Sequence, residues 1–197
     1  MVDFPDHSAQ EDPIRVVGKA ELLRKRGILI FRVNKSLWGS ERDVDKYDRI
    51  KDLISGRVLA VGLGMGNSAD MILKRAGVTE LVSYEIEQDI ADVFEAEHKA
   101  DPKHKIEVAD AYTATISGTF DVVLFELEAD SQALYDKAKA FLDAAKKKLN
   151  RGGFVLTKAD RFYEAIANDL ASGYNCTVIS KTQGRRVYPL FFKLDPK

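Results

Sequence analysis

Val58-Leu59-Ala60-Val61-Gly62-Leu63-Gly64-Met65-Gly66-Asn67 is the stretch from which the rest of the chain is read. Its first half is a short run of β-formers, the pattern of a buried strand. Its second half places glycine at every other position, and a helical pattern follows from Asn67 to Arg75. Glycine permits backbone angles closed to other residues and lets a ligand lie against the main chain. The helix behind such a loop offers unpaired N–H groups at its first turn.

Downstream the chain alternates. Strands are expected at Arg57–Val61, Glu80–Tyr84, Lys105–Val108, Phe120–Phe125 and Phe154–Thr157. Helices are expected at Asn67–Arg75, Glu87–Lys99, Ser131–Leu149 and Arg161–Ala171. Strands separated by helices imply right-handed crossovers and a parallel sheet with helices on both faces. Tyr174–Lys181 and Arg186–Leu194 are joined only by Thr182-Gln183-Gly184-Arg185, so they read as an antiparallel hairpin. The fold class is therefore α/β, a Rossmann-like three-layer sandwich on a seven-stranded, mainly parallel sheet, with a short N-terminal extension. Residues 1–55 form the tail and extension, and residues 56–197 the nucleotide-binding domain.

Within the extension, residues 1–13 read as a loosely docked tail and Ile14–Lys25 is mixed in pattern. Gly27–Val33 reads as a strand, Asn34–Arg42 as a loop carrying Trp38, and Asp43–Ser55 as a helix ended by Gly56.

Composition sets the outer limits. The 197 residues suit one domain with an appendage. Lys and Arg total 30 against 31 Asp and Glu, a net charge of −1, which gives no bulk attraction for nucleic acid. No nucleic-acid partner is expected on that ground. The single cysteine, Cys176, excludes an intrachain disulfide and reads as a small buried residue of a late strand. No run approaches the roughly 20 apolar residues of a membrane span. Met1–Asp6 lacks the pattern of a secretory signal, so a cytoplasmic location is expected. His7, His98 and His104 show no metal-ligand spacing, and no metal is expected.

The strand tips carry the chemistry. The second strand ends in Glu85, on the same carboxyl edge of the sheet as the glycine loop, where a carboxylate can accept from the two hydroxyls of a ribose. The third ends in Val108-Ala109-Asp110-Ala111. Asp110 there can accept from an adenine amine, and Ala111 can offer a backbone N–H. The fourth ends in Glu126, with Glu128 and Asp130 beyond it. These acids could bind a cationic substrate, serve as a general base, or merely precede the next helix, with Asp130 or Ser131 as its cap. Dinucleotide enzymes favour Gly-x-Gly-x-x-Gly. Here the third glycine is Gly66 and Asn67 stands one place on, the spacing favoured by S-adenosylmethionine proteins.

From Gly56 to Lys158 the sequence resembles the class I S-adenosylmethionine-dependent methyltransferases, and within them the spermidine synthase branch. The resemblance is carried by Arg57–Gly66, Val82–Glu87, Val108–Ala111, Phe120–Glu126 and Leu149–Leu156. It implies S-adenosyl-L-methionine, or its decarboxylated form, held by Gly62, Gly64, Gly66, Glu85, Ile86, Asp110 and Ala111. It implies Glu126 facing the reactive end as catalytic residue. Trp38, Tyr47, Glu128 and Lys158 are its substrate-side candidates. Relatives on this branch commonly form dimers, so a homodimer is implied as well.

Departures from the branch shape the functional expectation. Aminopropyltransferases usually carry Asp inside the glycine loop, where this chain has Met65, and a catalytic Asp where it has Glu126. Lys158 stands where that family often has Gln. The Asn/Asp-Pro-Pro-aromatic signature of base methylation is absent, since Glu126-Leu127-Glu128-Ala129 occupies its place. The expectation is methyl transfer to a small molecule. The alternatives are an aminopropyltransferase with a non-standard site and a non-catalytic binding protein of this fold. Lys146-Lys147-Lys148 and Arg151 read as cations complementing a helix C-terminus, and Arg185 and Arg186 as a polar turn.

Overall fold

A computed structural model describes residues 11–25, 28–40, 44–127, 131–159, 165, 168–169, 173–183 and 186–197. It contains two sheets. The first is β1 (Glu11–Val17), β2 (Ala20–Lys25), β3 (Ile28–Val33) and β4 (Ser36–Ser40), paired antiparallel in chain order. Three expectations are corrected here. The tail reading ends at Glu11, where β1 begins. The mixed stretch Ile14–Lys25 is a strand pair. The expected loop Asn34–Arg42 holds the turn residues Asn34 and Lys35, both with positive φ, and then β4. Apolar alternation in these short strands is broken by charged residues, so their period of two is weak in sequence.

The expected helix Asp43–Ser55 is reduced to α1 (Val44–Tyr47) and a 3-10 turn at Lys51–Leu53. Tyr47, Ile50 and Ile54 are buried against the main sheet. Their apolar spacing is therefore real, but it belongs to two short turns rather than one continuous helix.

The main sheet is β5 (Gly56–Val61), β6 (Val78–Glu85), β7 (His104–Val108), β8 (Phe120–Phe125), β9 (Leu149–Lys158), β10 (Tyr174–Gln183) and β11 (Arg186–Pro196). Its order is β10-β11-β9-β8-β5-β6-β7. β5 to β9 are parallel, and β11 pairs antiparallel with both β9 and β10. The seven strands and the antiparallel hairpin are as expected. The expected helix Arg161–Ala171 lies mostly outside the described residues.

α2 (Asn67–Leu73) and α3 (Gln88–Glu97) lie on one face, where Ala69, Ile72 and Phe94 pack with Val58, Ala60, Leu81 and Leu124. α4 (Gln132–Lys146) covers the other, with Ala138, Phe141, Leu142 and Ala145 forming its apolar stripe at helical spacing. Ser131 caps α4 by accepting from Leu134 N at 3.3 Å, one of the two caps foreseen. Cys176 lies in β10 but is exposed, not buried, because β10 is the edge strand of the sheet.

The N-terminal sheet docks on α3. Leu22, Phe31 and Val33 pack with Ile90 and Val93, and Met65 of the glycine loop joins the same cluster. Lys19 at the β1–β2 turn donates from its N–H to Asp89 at 3.0 Å, and its ammonium pairs with Glu87 at 2.5 Å. The extension is thereby tied to the two acids that follow the β6 tip.

Candidate functional site

β5 delivers the glycine loop to the carboxyl edge of the sheet. Gly62 N donates to Tyr84 O at 2.9 Å, and Gly66 N to Leu63 O at 2.9 Å, which folds the loop tightly before α2 starts. The glycines then differ. Gly64 has φ +52° and open space on the side a Cβ would occupy. Gly66 has φ +82°, and a Cβ there would strike the Phe94 ring. Gly64 thus presents bare main chain outward, while Gly66 lets α3 pack closely.

Glu85, at the β6 tip, is only 4% exposed. One carboxylate oxygen accepts from Leu63 N at 3.1 Å, the other from Glu87 N at 3.1 Å. Main-chain donors thus anchor the carboxylate beside the glycine loop. Each oxygen keeps a second acceptor position, since an ionised carboxylate has about four. The next residue, Ile86, is largely exposed, as is Val108 at the β7 tip. Two apolar side chains exposed at neighbouring strand tips form a surface suited to a flat ring.

Asp110 accepts from Tyr112 N at 2.9 Å with one oxygen, and its carbonyl accepts from Thr113 N and Ala114 N. Ala111 is buried beside it. Burial, with Asp110 nearby, pushes the Tyr112 hydroxyl up to about 12, so it stays a neutral phenol.

Glu126 directly follows β8, its N–H donating to Val61 O at 3.3 Å at the β5 tip. The Tyr47 hydroxyl lies 3.0 Å from both Glu126 oxygens, and the Lys46 ammonium is 3.1 Å from Oε1. Tyr47 is itself buried, its ring 6.2 Å from that of Phe191. Leu127 lies against the Gly62 side of the glycine loop. The structure therefore brings Tyr47 to Glu126, and it adds Lys46, which sequence reasoning missed. A lysine beside a helical tyrosine carries no signal until the topology places it over β8.

Of the other candidates, Lys158 ends β9, half-buried and opposite Phe191 of β11. Trp38 falls in β4, and its side chain lies outside the described residues, as do Glu128, Asp130, Asp43 and Arg185. Lys146 is a structural cation, donating to Gly173 O at 2.5 Å with its ammonium 4.8 Å from the Tyr174 ring centroid. Among the described residues no group of side chains is arranged for a metal, and no helix is long and apolar enough to cross a membrane.

His98 and His104, far apart in pattern, both meet Phe94. His98 stacks on that ring at 4.0 Å, and His104 meets it edge-on at 5.3 Å. The hydrogen bond that His98 donates to the Asp70 carboxylate raises its pKa, whereas burial lowers that of His104.

Comparisons with known proteins bear on the family and the fold. A family model described as the methyltransferase small domain matches residues 46–189. No curated protein matches the sequence. Among solved structures, spermidine synthase from Thermotoga maritima superposes with a TM-score of 0.69 at 13% identity, covering 94% of this chain and 74% of that one. The N-methyltransferase NodS from Bradyrhizobium japonicum WM9, solved with S-adenosyl-L-homocysteine, gives 0.60 at 12% identity, covering 80% and 87%. An rRNA methylase from Streptococcus thermophilus gives 0.57 at 9% identity, covering 77% and 94%. At these identities the likeness is one of fold.

Proposed function

The chain belongs to the methyltransferase small domain family, and from that premise we propose that it transfers a methyl group from S-adenosyl-L-methionine to a small-molecule acceptor. The observation that carries the reading is the Glu85 cradle. A buried carboxylate, oriented by two backbone N–H groups, stands beside a glycine whose main chain faces open space. The cofactor, when bound, supplies an electrophilic methyl on its sulfonium. Glu85 would accept from the ribose hydroxyls, Gly62 and Gly64 would back the aminoacyl and ribose parts, and Ile86, Asp110 and Ala111 would hold the adenine. Gly66 contributes by shaping the loop. Glu126 and Tyr47 orient the acceptor, and Glu126 can take a proton from its nucleophilic atom.

A small acceptor is favoured by the half-buried Glu126 carboxylate, on which α1 places Tyr47 and Lys46 directly. The near-zero net charge adds no general attraction for RNA. An RNA acceptor, as the rRNA methylase neighbour's name implies for that protein, is the outcome to test against. Aminopropyl transfer is the second reading. Its support is that the likeness to spermidine synthase covers 94% of this chain, more than the 80% covered by the methyltransferase NodS. Met65 tells against it, since its side chain packs toward the N-terminal sheet and brings no acid to the loop.

Calorimetric titration with S-adenosylmethionine, S-adenosylhomocysteine and decarboxylated S-adenosylmethionine tests the reading. Preference for the first two is expected. Preference for the third would transfer the assignment to aminopropyl chemistry, and no binding of any would reject both.

A further inference from the structure

The two main-chain donors that hold Glu85 come from different segments, and the N-terminal sheet touches both. Leu63 N belongs to the glycine loop, and Met65, two residues on, packs with Leu22, Phe31 and Val33 of that sheet. Glu87 N belongs to the turn after β6, and the Glu87 carboxylate pairs with the Lys19 ammonium at 2.5 Å. Lys19 also donates its own N–H to Asp89 at 3.0 Å, in the first turn of α3. Gly18, just before it, has φ +52°, and a Cβ there would strike the Asp89 carboxylate. Glycine is therefore what lets the β1–β2 turn come this close to α3. The Lys19 and Glu87 side chains are 35% and 30% exposed, so the pair sits at the surface of the turn and not in the core.

We propose that Lys19 is a positioning residue: it fixes the turn that carries Glu87 N, and through that N–H it orients the Glu85 carboxylate. Its ammonium on Glu87 and its amide on Asp89 pin the turn at two points, one on either side of Gln88. The Glu87 N–H then stays aimed at Glu85 Oε1 while Leu63 N holds Oε2. That Glu85 receives a ribose rests on the methyl-transfer reading; the dependence of the carboxylate's anchoring on Lys19 does not. Each Glu85 oxygen has a further acceptor direction. Those directions meet two vicinal hydroxyls only while both N–H groups keep the carboxylate in place, so Lys19 acts on cofactor affinity through the hydroxyls.

Lys19→Gln keeps most of the stem and removes the charge. Glu87→Gln removes the same pair from the other side and keeps the Glu87 N–H. Amide hydrogen exchange of the full chain, read by NMR, is the first measurement. In either variant the Glu87 amide should exchange about fivefold faster relative to the Val123 amide of β8, the worth of one partly exposed ion pair. An equal change at both amides, or none at either, overturns the proposal. Calorimetry is the second measurement. S-Adenosylhomocysteine should bind either variant about fivefold more weakly than it binds the parent chain. Its 2′,3′-dideoxy analogue, which lacks both hydroxyls, should bind all three chains alike. A loss equal for the two ligands overturns the positioning role, since a merely structural change would weaken both. Should Lys19→Gln fail to fold, Glu87→Gln alone must show the pattern. A parent chain that binds neither ligand rejects methyl transfer, and the exchange result then decides the proposal by itself.

Discussion

Glu85 and Glu126 stand at the tips of the two strands that flank β5, one on each side, yet they are held in different ways. Glu85 is gripped by main-chain N–H groups of the glycine loop and of its own following turn. Glu126 is gripped by side chains, the Tyr47 hydroxyl and the Lys46 ammonium, from a segment before the main sheet. Main-chain donors cannot be exchanged by substitution and barely move, so they suit a group that must recognise one fixed ligand. Side-chain partners can leave, be replaced, or compete with a ligand. The first arrangement fits the part of the reaction that the family shares, and the second the part that must suit one acceptor.

The largest expected effect is at Glu85. Glu85→Ala leaves one buried and one part-buried N–H group without their acceptor and removes the carboxylate proposed to hold the ribose. Stability should fall by about 4 kcal/mol, read from denaturant unfolding. Affinity for S-adenosylhomocysteine should fall at least a hundredfold by calorimetry. Cofactor affinity within threefold of the parent would break the comparison, because the main-chain-held acid would then have no ligand role.

Next come the two glycines of that main-chain grip, which should separate stability from binding. Gly66→Ala forces an L-residue into φ +82° and drives a methyl into Phe94, for a cost of about 3 kcal/mol. Gly64→Ala is strained as well but meets nothing within 4 Å, so its cost should be about 1 kcal/mol. It should nonetheless weaken cofactor binding more than tenfold. Thermal melts and calorimetry on both variants check this, and equal losses of affinity per unit of lost stability would contradict it.

The same contrast governs what could be read in advance. Gly62, Gly64, Glu85 and Asp110 stood out because main-chain-built sites need glycine at strained positions and acids at strand tips, and both are visible in local pattern. Fold class followed, since alternating strands and helices with one helix-free link leave few topologies. Lys46 was invisible because its partner lies on the far side of the topology, and nothing in Asp43–Ser55 says which side chain the sheet will bring to it. The N-terminal sheet was missed for a related reason. Its apolar residues are complementary to Ile90, Val93 and Met65, not to one another alone, so its strands carry weak periodicity by themselves. Cys176 misled because burial of a strand residue depends on the strand's place in the sheet, and β10 is at the edge.

A smaller effect tests the side-chain grip. Tyr47→Phe keeps the ring against Phe191 and removes only the hydroxyl shared by both Glu126 oxygens. Stability should fall by about 1 kcal/mol, with S-adenosylhomocysteine affinity within twofold of the parent. Turnover should fall tenfold or more once an acceptor is in hand. A matching loss of cofactor affinity would mean that the two acids form one unit and that their different anchoring has no functional meaning.

The smallest effect probes whether the main-chain grip is as fixed as it looks. His98 stacks on Phe94, the ring that packs against Gly66, and lies 3.4 Å from Asp70 in the first turn of α2. A titratable pair therefore braces the back of the glycine loop. Its hydrogen bond to Asp70 raises the His98 pKa above 6.5, so the protonated form is favoured in the folded chain. That stabilisation is fully present below pH 6.5 and is lost as pH rises through the raised value. The pair is partly solvent-exposed, so its worth is about 0.5 kcal/mol. His104, its pKa lowered by burial, acts oppositely, destabilising as pH falls below 6.5. Only a difference between variants isolates His98. His98→Gln should lower stability at pH 6 by about 0.5 kcal/mol relative to the parent, and by less at pH 8. If the pair also tunes the loop, cofactor affinity in the parent should change between those two pH values and the change should vanish in His98→Gln. A parent affinity that stays flat while stability shifts would show that the glycine loop holds its shape through main-chain bonds alone, which is the sharper form of the contrast with Glu126.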